Sequence, residues 1–220
     1  MFLFLLILLL SYLVGSIPTA IIISKVSRGI DIRKYGSGNA GGTNVFRVLG
    51  WKLGLTTILL DALKGAFAVI VIARLHYGNI PFNNITPFDD FTLIQIIAGL
   101  FAVIGHIWTI FAGFKGGKGI ATALGFLLSV VTVDILFAVI IFAVVVSISR
   151  YISLGSLSAA FSLPIIIAIR ENIFHVDING YGIVLPFTIA IALLVLFTHR
   201  TNVFRLLKGT ESKINFSKKK

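Results

Sequence analysis

The sequence predicts an all-α integral membrane protein: a bundle of seven transmembrane helices with the N-terminus outside, the C-terminus cytoplasmic and the polar loops gathered on the cytoplasmic face. Three observations predict it. Hydrophobic residues make up 57% of the 220 and charged residues only 12%, where a soluble domain carries about a quarter charged; mean hydropathy is +1.03. Apolar runs of about 20 residues recur, the length that crosses a ~30 Å hydrocarbon core. Lys and Arg gather at the ends of those runs, which fixes orientation and meets anionic headgroups. The net charge of +11 therefore points to membrane lipids and away from nucleic acid. The absence of cysteine excludes disulfides, thiolate metal ligands and cysteine nucleophiles. Scattered histidines and the lack of a carboxylate cluster predict neither metal nor cofactor. With no internal repeat or low-complexity linker, 1–220 reads as one domain.

Met1 to Ile23 is apolar and long enough to span. It lacks the basic start and small-residue cleavage site of a signal peptide, and Lys25, Arg28, Arg33 and Lys34 follow it, so the next loop is expected inside. That loop holds Gly36 to Gly50. Leu53 to Ala73 is a second span, interrupted by Asp61 and Lys64; three residues apart, they share a helical face and neutralise each other. They read as a structural pair or, alternatively, as part of a site. The loop from Arg74 to Phe91, with Asn79, Pro81, Asn83, Asn84, Pro87, Asp89 and Asp90, reads as external. Thr92 to Phe111 returns inside, to the loop Phe114 to Gly119. The apolar stretch Ile120 to Ile148 would be roughly 43 Å as one helix, too long for the hydrocarbon core. Asp134 near its middle predicts a hairpin of two short spans, which also keeps Arg150 and the Lys-rich tail Lys208 to Lys220 inside. Ile152 to Ile169 and Ile183 to Thr198 complete the set, joined by an external loop with Arg170, Glu171, His175 and Asp177. Four polar segments then share the cytoplasmic face: the Gly36 loop, the Phe114 loop, the Arg150 to Ser156 turn, and the chain from His199 onward.

Each segment has its own chemistry. GSGNAG, Gly36 to Gly41, matches a dinucleotide fingerprint formally but lacks the preceding strand and the following acidic residue. What remains is a tight backbone at Gly38 and Gly41, the Ser37 and Thr43 hydroxyls, the Asn39 and Asn44 amides, and Arg47, a set suited to an anion. FKGGKG, Phe114 to Gly119, fails as a nucleotide P-loop because Gly119 stands where Ser or Thr would hold magnesium. Gly116, Gly117, Lys118 and Gly119 at a helix N-terminus favour a phosphate; Lys115 and Lys118 equally mark the membrane boundary. In HRTNVFRLLKGTESK, His199 and Asn202 share a helical face and Arg200 and Arg205 add positive charge. His106 reads as a packing or hydrogen-bonding residue.

Together these segments closely resemble the signatures of the bacterial acyl-phosphate:glycerol-3-phosphate acyltransferase family. SGNAGGTNVFRVLG, GHIWTIFAGFKGGKGIAT and HRTNVFRLLKGTESK match its three motifs in order; DALKG at Asp61 and RYISLGS at Arg150 look like further family stretches. Thr109 stands where the family usually has proline, and Gly113 where lysine is common. The resemblance implies a seven-helix multi-pass protein of the bacterial plasma (inner) membrane with a cytoplasm-facing active site. It also implies acyl phosphate as donor, glycerol 3-phosphate as acceptor and a partner enzyme that forms acyl phosphate. By position Ser37, Arg47, Lys118, His199 and Asn202 match the family's active site, and Gly116, Gly117 and Gly119 its glycerol-phosphate loop. Ser153 or Ser156 is a further candidate for substrate binding.

The residues are compatible with that chemistry. An acyl phosphate already carries a good leaving group, so the enzyme chiefly has to position two phosphates and neutralise their repulsion, with Arg47, Lys118, the glycine loops and Arg200 or Arg205 as the cationic and N–H donors. Either His199 or the donor's own phosphate takes the proton of the attacking hydroxyl, and the phosphate is the preferred reading. No histidine is followed five residues later by aspartate, so the HxxxxD class of thioester-dependent acyltransferases does not fit. A membrane transporter of an organic phosphate is the alternative; such sites usually lie at the midplane between inverted repeats, whereas the motifs here fall on one face.

Overall fold

Apolar length and glycine or proline punctuation set the helices. The computed structural model describes residues 2–76, 80–86, 89–178 and 180–214. Asn79 and Pro87 of the loop read as external, and residues 215–220 of the basic tail, lie outside them. The helices are α1 (Phe2–Gly15), α2 (Thr19–Arg28), α3 (Gly42–Leu49), α4 (Trp51–Ile70), α5 (Asp90–Ile107), α6 (Ile120–Leu128), α7 (Thr132–Ser149), α8 (Ile152–Asn172), α9 (Tyr181–Thr198) and α10 (Arg200–Leu207). Among the described residues six stretches are long and apolar enough to cross a membrane: Phe2–Arg28, Trp51–Leu75, Asp90–Ala112, Thr132–Ser149, Ile152–Asn172 and Tyr181–Thr198. The first of these is α1 and α2 together, interrupted at Pro18, which has no N–H for the helical ladder. The chain forms two compact units, Met1–Thr132 and Val133–Lys220.

In the first unit, glycine lets the helices cross backbone to backbone, the usual device where lipid supplies no hydrophobic drive between helices. A Cβ on Gly65 or Gly125 would strike the Thr122 or Ala62 carbonyl, so α4 and α6 meet at those two residues. A Cβ on Gly15 would strike Ala102, and one on Gly105 the Tyr12 carbonyl, so α1 and α5 do the same. Polar bonds tie the end of α5 to the α1–α2 break: the Tyr12 hydroxyl donates to the Trp108 carbonyl at 2.8 Å, Ser16 to Gly105 at 3.3 Å, and Thr109 to the Ser16 carbonyl. Thr109 thus fastens the chain where a proline would only have ended the helix.

The long apolar run divides, but not at Asp134. The turn falls at Ser129, Val130 and Val131, residues of modest helix propensity. Asp134 lies in the first turn of α7, where its charge suits the helix dipole. It pairs with Arg170 of α8 at 2.5 Å. At 9 residues α6 is about 14 Å long, too short to count as a long span. Within the second unit Gly155 admits the Val146 and Phe142 side chains of α7 against α8, and α8 packs on α9.

Candidate active site

The Gly36 loop is built around one buried side chain. Asn44, in the first turn of α3 and 1% exposed, accepts the Ser37 N–H at 2.9 Å and turns its amide NH₂ to the carbonyls of Ile32, Tyr35 and Asn39 at 3.1, 2.9 and 3.0 Å. Asn44, grouped from the sequence with the ligand-binding residues, is committed to shaping the loop instead. Gly38, at φ +74, takes the left-handed conformation that a side chain disfavours, and Ser37 is left exposed at the tip. Behind the loop, Asp31 caps the short 3₁₀ turn Ile32–Lys34 by accepting the Arg33 N–H. The Arg33 guanidinium bonds both Asp31 oxygens and the Ala112 carbonyl at 2.9 Å. That side-chain bond from Arg33 pulls the Asp31 carboxyl down to about 2. Gly42 and Gly54 let α3 lie on α4, each replacing a Cβ that would strike Ile58 or Phe46. Arg47 is half-buried on α3, one turn beyond Thr43.

The second loop folds back on the end of α5. The Gly116 and Gly117 N–H groups donate to the carbonyls of Ile107 and His106, each at 3.1 Å. Those two N–H groups, expected from the sequence to face an anion, are thereby spent on the fold. The N–H groups without a carbonyl inside a helix are instead those of Ile120, Ala121 and Thr122 at the start of α6. Gly119, at φ +83, turns the chain into that helix.

The two loops adjoin: a Cβ on Gly117 would come within 3.1 Å of the Ala40 carbonyl. A small pocket there is lined by Thr19, Ala40, Lys64, His106, Gly116 and Gly117 among others. Two of its lining side chains, Lys64 and His106, lean on a buried carboxylate. Asp61 Oδ1 accepts from Thr19 Oγ1 at 2.5 Å and from Lys64 Nζ at 2.8 Å, and stands 3.4 Å from His106 Nδ1. Lys64 Nζ also donates to the Ile17 carbonyl at 3.0 Å. Asp61 and Lys64 are therefore an ion pair, of which Lys64 lines the pocket while Asp61 is buried behind it. Thr19 carried no signal in the sequence, because its partner is 42 positions away.

The third motif lies in the second unit and is organised by a residue to which the sequence reading gave no role. Glu211, 6% exposed, accepts from Ser153 Oγ at 3.0 Å, Asn202 Nδ2 at 2.8 Å and Arg205 Nε at 2.7 Å. Ser153, Asn202 and Arg205 thus join α8, α10 and the C-terminal segment, and Ser156 is buried a turn further along α8. Burial pushes the Glu211 carboxyl up, but the bonds from Arg205, Asn202 and Ser153 together outweigh it and leave it below its ordinary value. Arg200 folds outward, its guanidinium 4.6 Å from the Phe197 ring centre. His199 forms the joint between α9 and α10; its Nδ1 lies 2.9 Å from the Val195 carbonyl. A carbonyl only accepts, so Nδ1 carries the proton and a neutral ring keeps its lone pair on Nε2.

Residues 5–209 match the family model described as glycerol-3-phosphate acyltransferase. The glycerol-3-phosphate acyltransferase of Chlorobium limicola is 45% identical over 96% of this chain and 97% of its own; that of Chlorobaculum tepidum is 44% identical over 98% of each. Crystal structures of the integral membrane glycerol 3-phosphate acyltransferase PlsY share the fold. The glycerol 3-phosphate form has a TM-score of 0.80 at 34% identity, covering 96% of both chains. The lysophosphatidic acid form has 0.77 at 33% identity, covering 96% of this chain and 95% of its own. The protein is a multi-pass membrane protein, and the chain belongs to the glycerol-3-phosphate acyltransferase family.

Proposed function

We propose that this protein transfers an acyl group from acyl phosphate to the 1-hydroxyl of glycerol 3-phosphate, releasing 1-acyl-glycerol 3-phosphate and inorganic phosphate. The observation that carries the reading is the meeting of the two glycine loops at Ala40 and Gly117, which sets the start of α6 beside the Ser37–Arg47 loop. Unpaired helix N–H groups favour a phosphate. Arg47 and Lys118 add the charge that a second phosphate nearby requires, and Ser37 supplies a hydroxyl at the loop tip. Purified protein given palmitoyl phosphate and glycerol 3-phosphate is expected to yield lysophosphatidic acid by mass spectrometry, and to yield little with palmitoyl-CoA. Folded protein that makes none, or that uses both donors equally, overturns the reading.

In the step itself, the acceptor hydroxyl oxygen attacks the carbonyl carbon, the carbon–oxygen bond to phosphate breaks, and the hydroxyl proton passes to the departing phosphate. No covalent enzyme intermediate is needed. The assigned role of His199 is to orient the donor phosphate by donating from Nε2–H, which takes the doubly protonated ring because Nδ1–H is already given to the Val195 carbonyl. His199→Ala is expected to raise the donor KM and lower kcat by about 10²-fold without abolishing turnover. Complete loss of turnover with both substrate affinities unchanged would make His199 the base.

The reading places the protein in the bacterial plasma membrane with its site on the cytoplasmic face, supplied with acyl phosphate by a separate enzyme. Lys25, Arg28 and Lys34 follow the first span, which puts the N-terminus outside. The C-terminus then lies inside if short α6 counts as a seventh crossing, since six long spans alone would leave both termini on one side.

A further inference from the structure

The His106 imidazole is buried and points in two directions. Its Nδ1 edge faces the carboxylate of Asp61, which is held by Thr19 and Lys64. Its Nε2 edge faces the Gly116–Gly117 loop: a Cβ placed on Gly117 would collide with Nε2 and Cε1 of this ring, and one placed on Gly116 would collide with the His106 carbonyl. The same residue's carbonyl accepts the Gly117 N–H, and its neighbour Ile107 accepts the Gly116 N–H. The second loop therefore rests on His106 by both backbone and side chain. The ring beneath it stands 3.4 Å from a carboxylate at the middle of α4.

We infer that His106 is a positioning residue for acyl transfer. Its ring is the seat of the Gly116–Gly117 loop, and the Thr19–Asp61–Lys64 cluster fixes the ring so that the start of α6 is held toward the acceptor phosphate. His106 acts through the loop and does not touch the substrate. The Nε2 edge meets the loop and the Nδ1 edge lies 3.4 Å from Asp61 Oδ1, so a smaller side chain leaves a void under Gly117 and lets the loop sink. An added methyl at Gly117 forces the loop up off the ring. Either displacement moves the N–H groups of Ile120, Ala121 and Thr122 relative to Ala40 and the first loop. This rests on the reading of that loop as the acceptor site.

The two perturbations should cancel, because the Gly117 methyl fills part of the space the ring vacates. Gly117 has no left-handed φ to forbid alanine, and outside the ring the nearest atom to the added methyl is the Ala40 carbonyl at 3.1 Å. The experiment compares wild type, His106→Ala, Gly117→Ala and the double variant, each as full-length protein in detergent. Both substrate KM values, kcat and the melting temperature are measured. Each single variant is expected to raise the glycerol 3-phosphate KM on the order of tenfold, with a smaller change in kcat and in the donor KM. The double variant is expected to be no worse than the poorer single one. Losses that multiply, or a Gly117→Ala effect of the same size with and without the ring, overturn the inference. The melting-temperature cycle reads the seating of the loop without turnover. Cancellation there with no change in the acceptor KM would retain the seat but overturn its assignment to the acceptor, and a wild type inactive toward both substrates would count against the acyltransferase reading alone.

Discussion

Arg47→Ala is expected to lower kcat/KM for acyl transfer by on the order of 10²–10³-fold while the protein stays folded and inserted. Arg47 sits on an eight-residue helix, α3, whose first turn carries Thr43 and Asn44. Positions 43, 44 and 47 share a helix face, and Asn44 on that face already holds the loop through Ser37 and Tyr35. The guanidinium is therefore carried on the side of the helix that meets the loop. Two phosphates brought within reach of one another repel, and in a partly dehydrated site the loss of one cation is felt fully in the transition state. Arg47→Lys separates charge from geometry: it keeps the charge, loses the planar fork, and is expected to recover about a tenth of the activity. The helix itself is seated by Gly42 and Gly54 on α4, so truncation at Arg47 leaves its packing in place. Elution volume and helical circular dichroism should match wild type. Near-normal turnover by Arg47→Ala would remove this loop from the site.

The features legible in the sequence are those with short range. Hydropathy located five of the six long spans to within a few residues, because burial in lipid demands length and apolarity at each position; the sixth, Thr132–Ser149, was expected as part of a hairpin of two short spans. The Asp61–Lys64 pair was legible because three residues on a helix fix a shared face. The turn in the long apolar run was expected at its polar residue, Asp134, yet it falls before it, at Ser129, Val130 and Val131. Asp134 has a partner in Arg170, 36 positions away, and so did not need to sit in a turn. The glycine loops were recognised by composition, but which N–H groups they leave open depends on the carbonyls of His106 and Ile107. Those carbonyls are available only because α5 ends there. Glu211 was in plain view inside the third motif. Its function is a tertiary one, set by Ser153 at 58 positions' separation, and no local spacing could have given it.

The largest loss of stability is expected at Glu211. Three donors from two helices converge on its carboxylate, whose side chain is 1% exposed while that of Arg205 is 35% exposed. Glu211→Ala leaves Ser153, Asn202 and Arg205 without that acceptor. It should destabilise the second unit by about 3 kcal/mol, with turnover lost as Asn202 and α10 come loose from α8. Glu211→Gln keeps an acceptor oxygen for Asn202 or Ser153 and removes the charge that Arg205 meets, so it should fall between wild type and alanine. The pH dependence separates the two contributions. Because the folded-state carboxyl lies below its ordinary value of 4.5, the charged pair contributes fully above that value and is lost as pH falls through the lower, folded-state one. Melting measured from pH 7 down to pH 3 should therefore show the stability gap between wild type and Glu211→Gln closing as the solution becomes acid. A gap that stayed constant over that range would mean that the shape of the side chain, and not its charge, holds the C-terminal segment to α8.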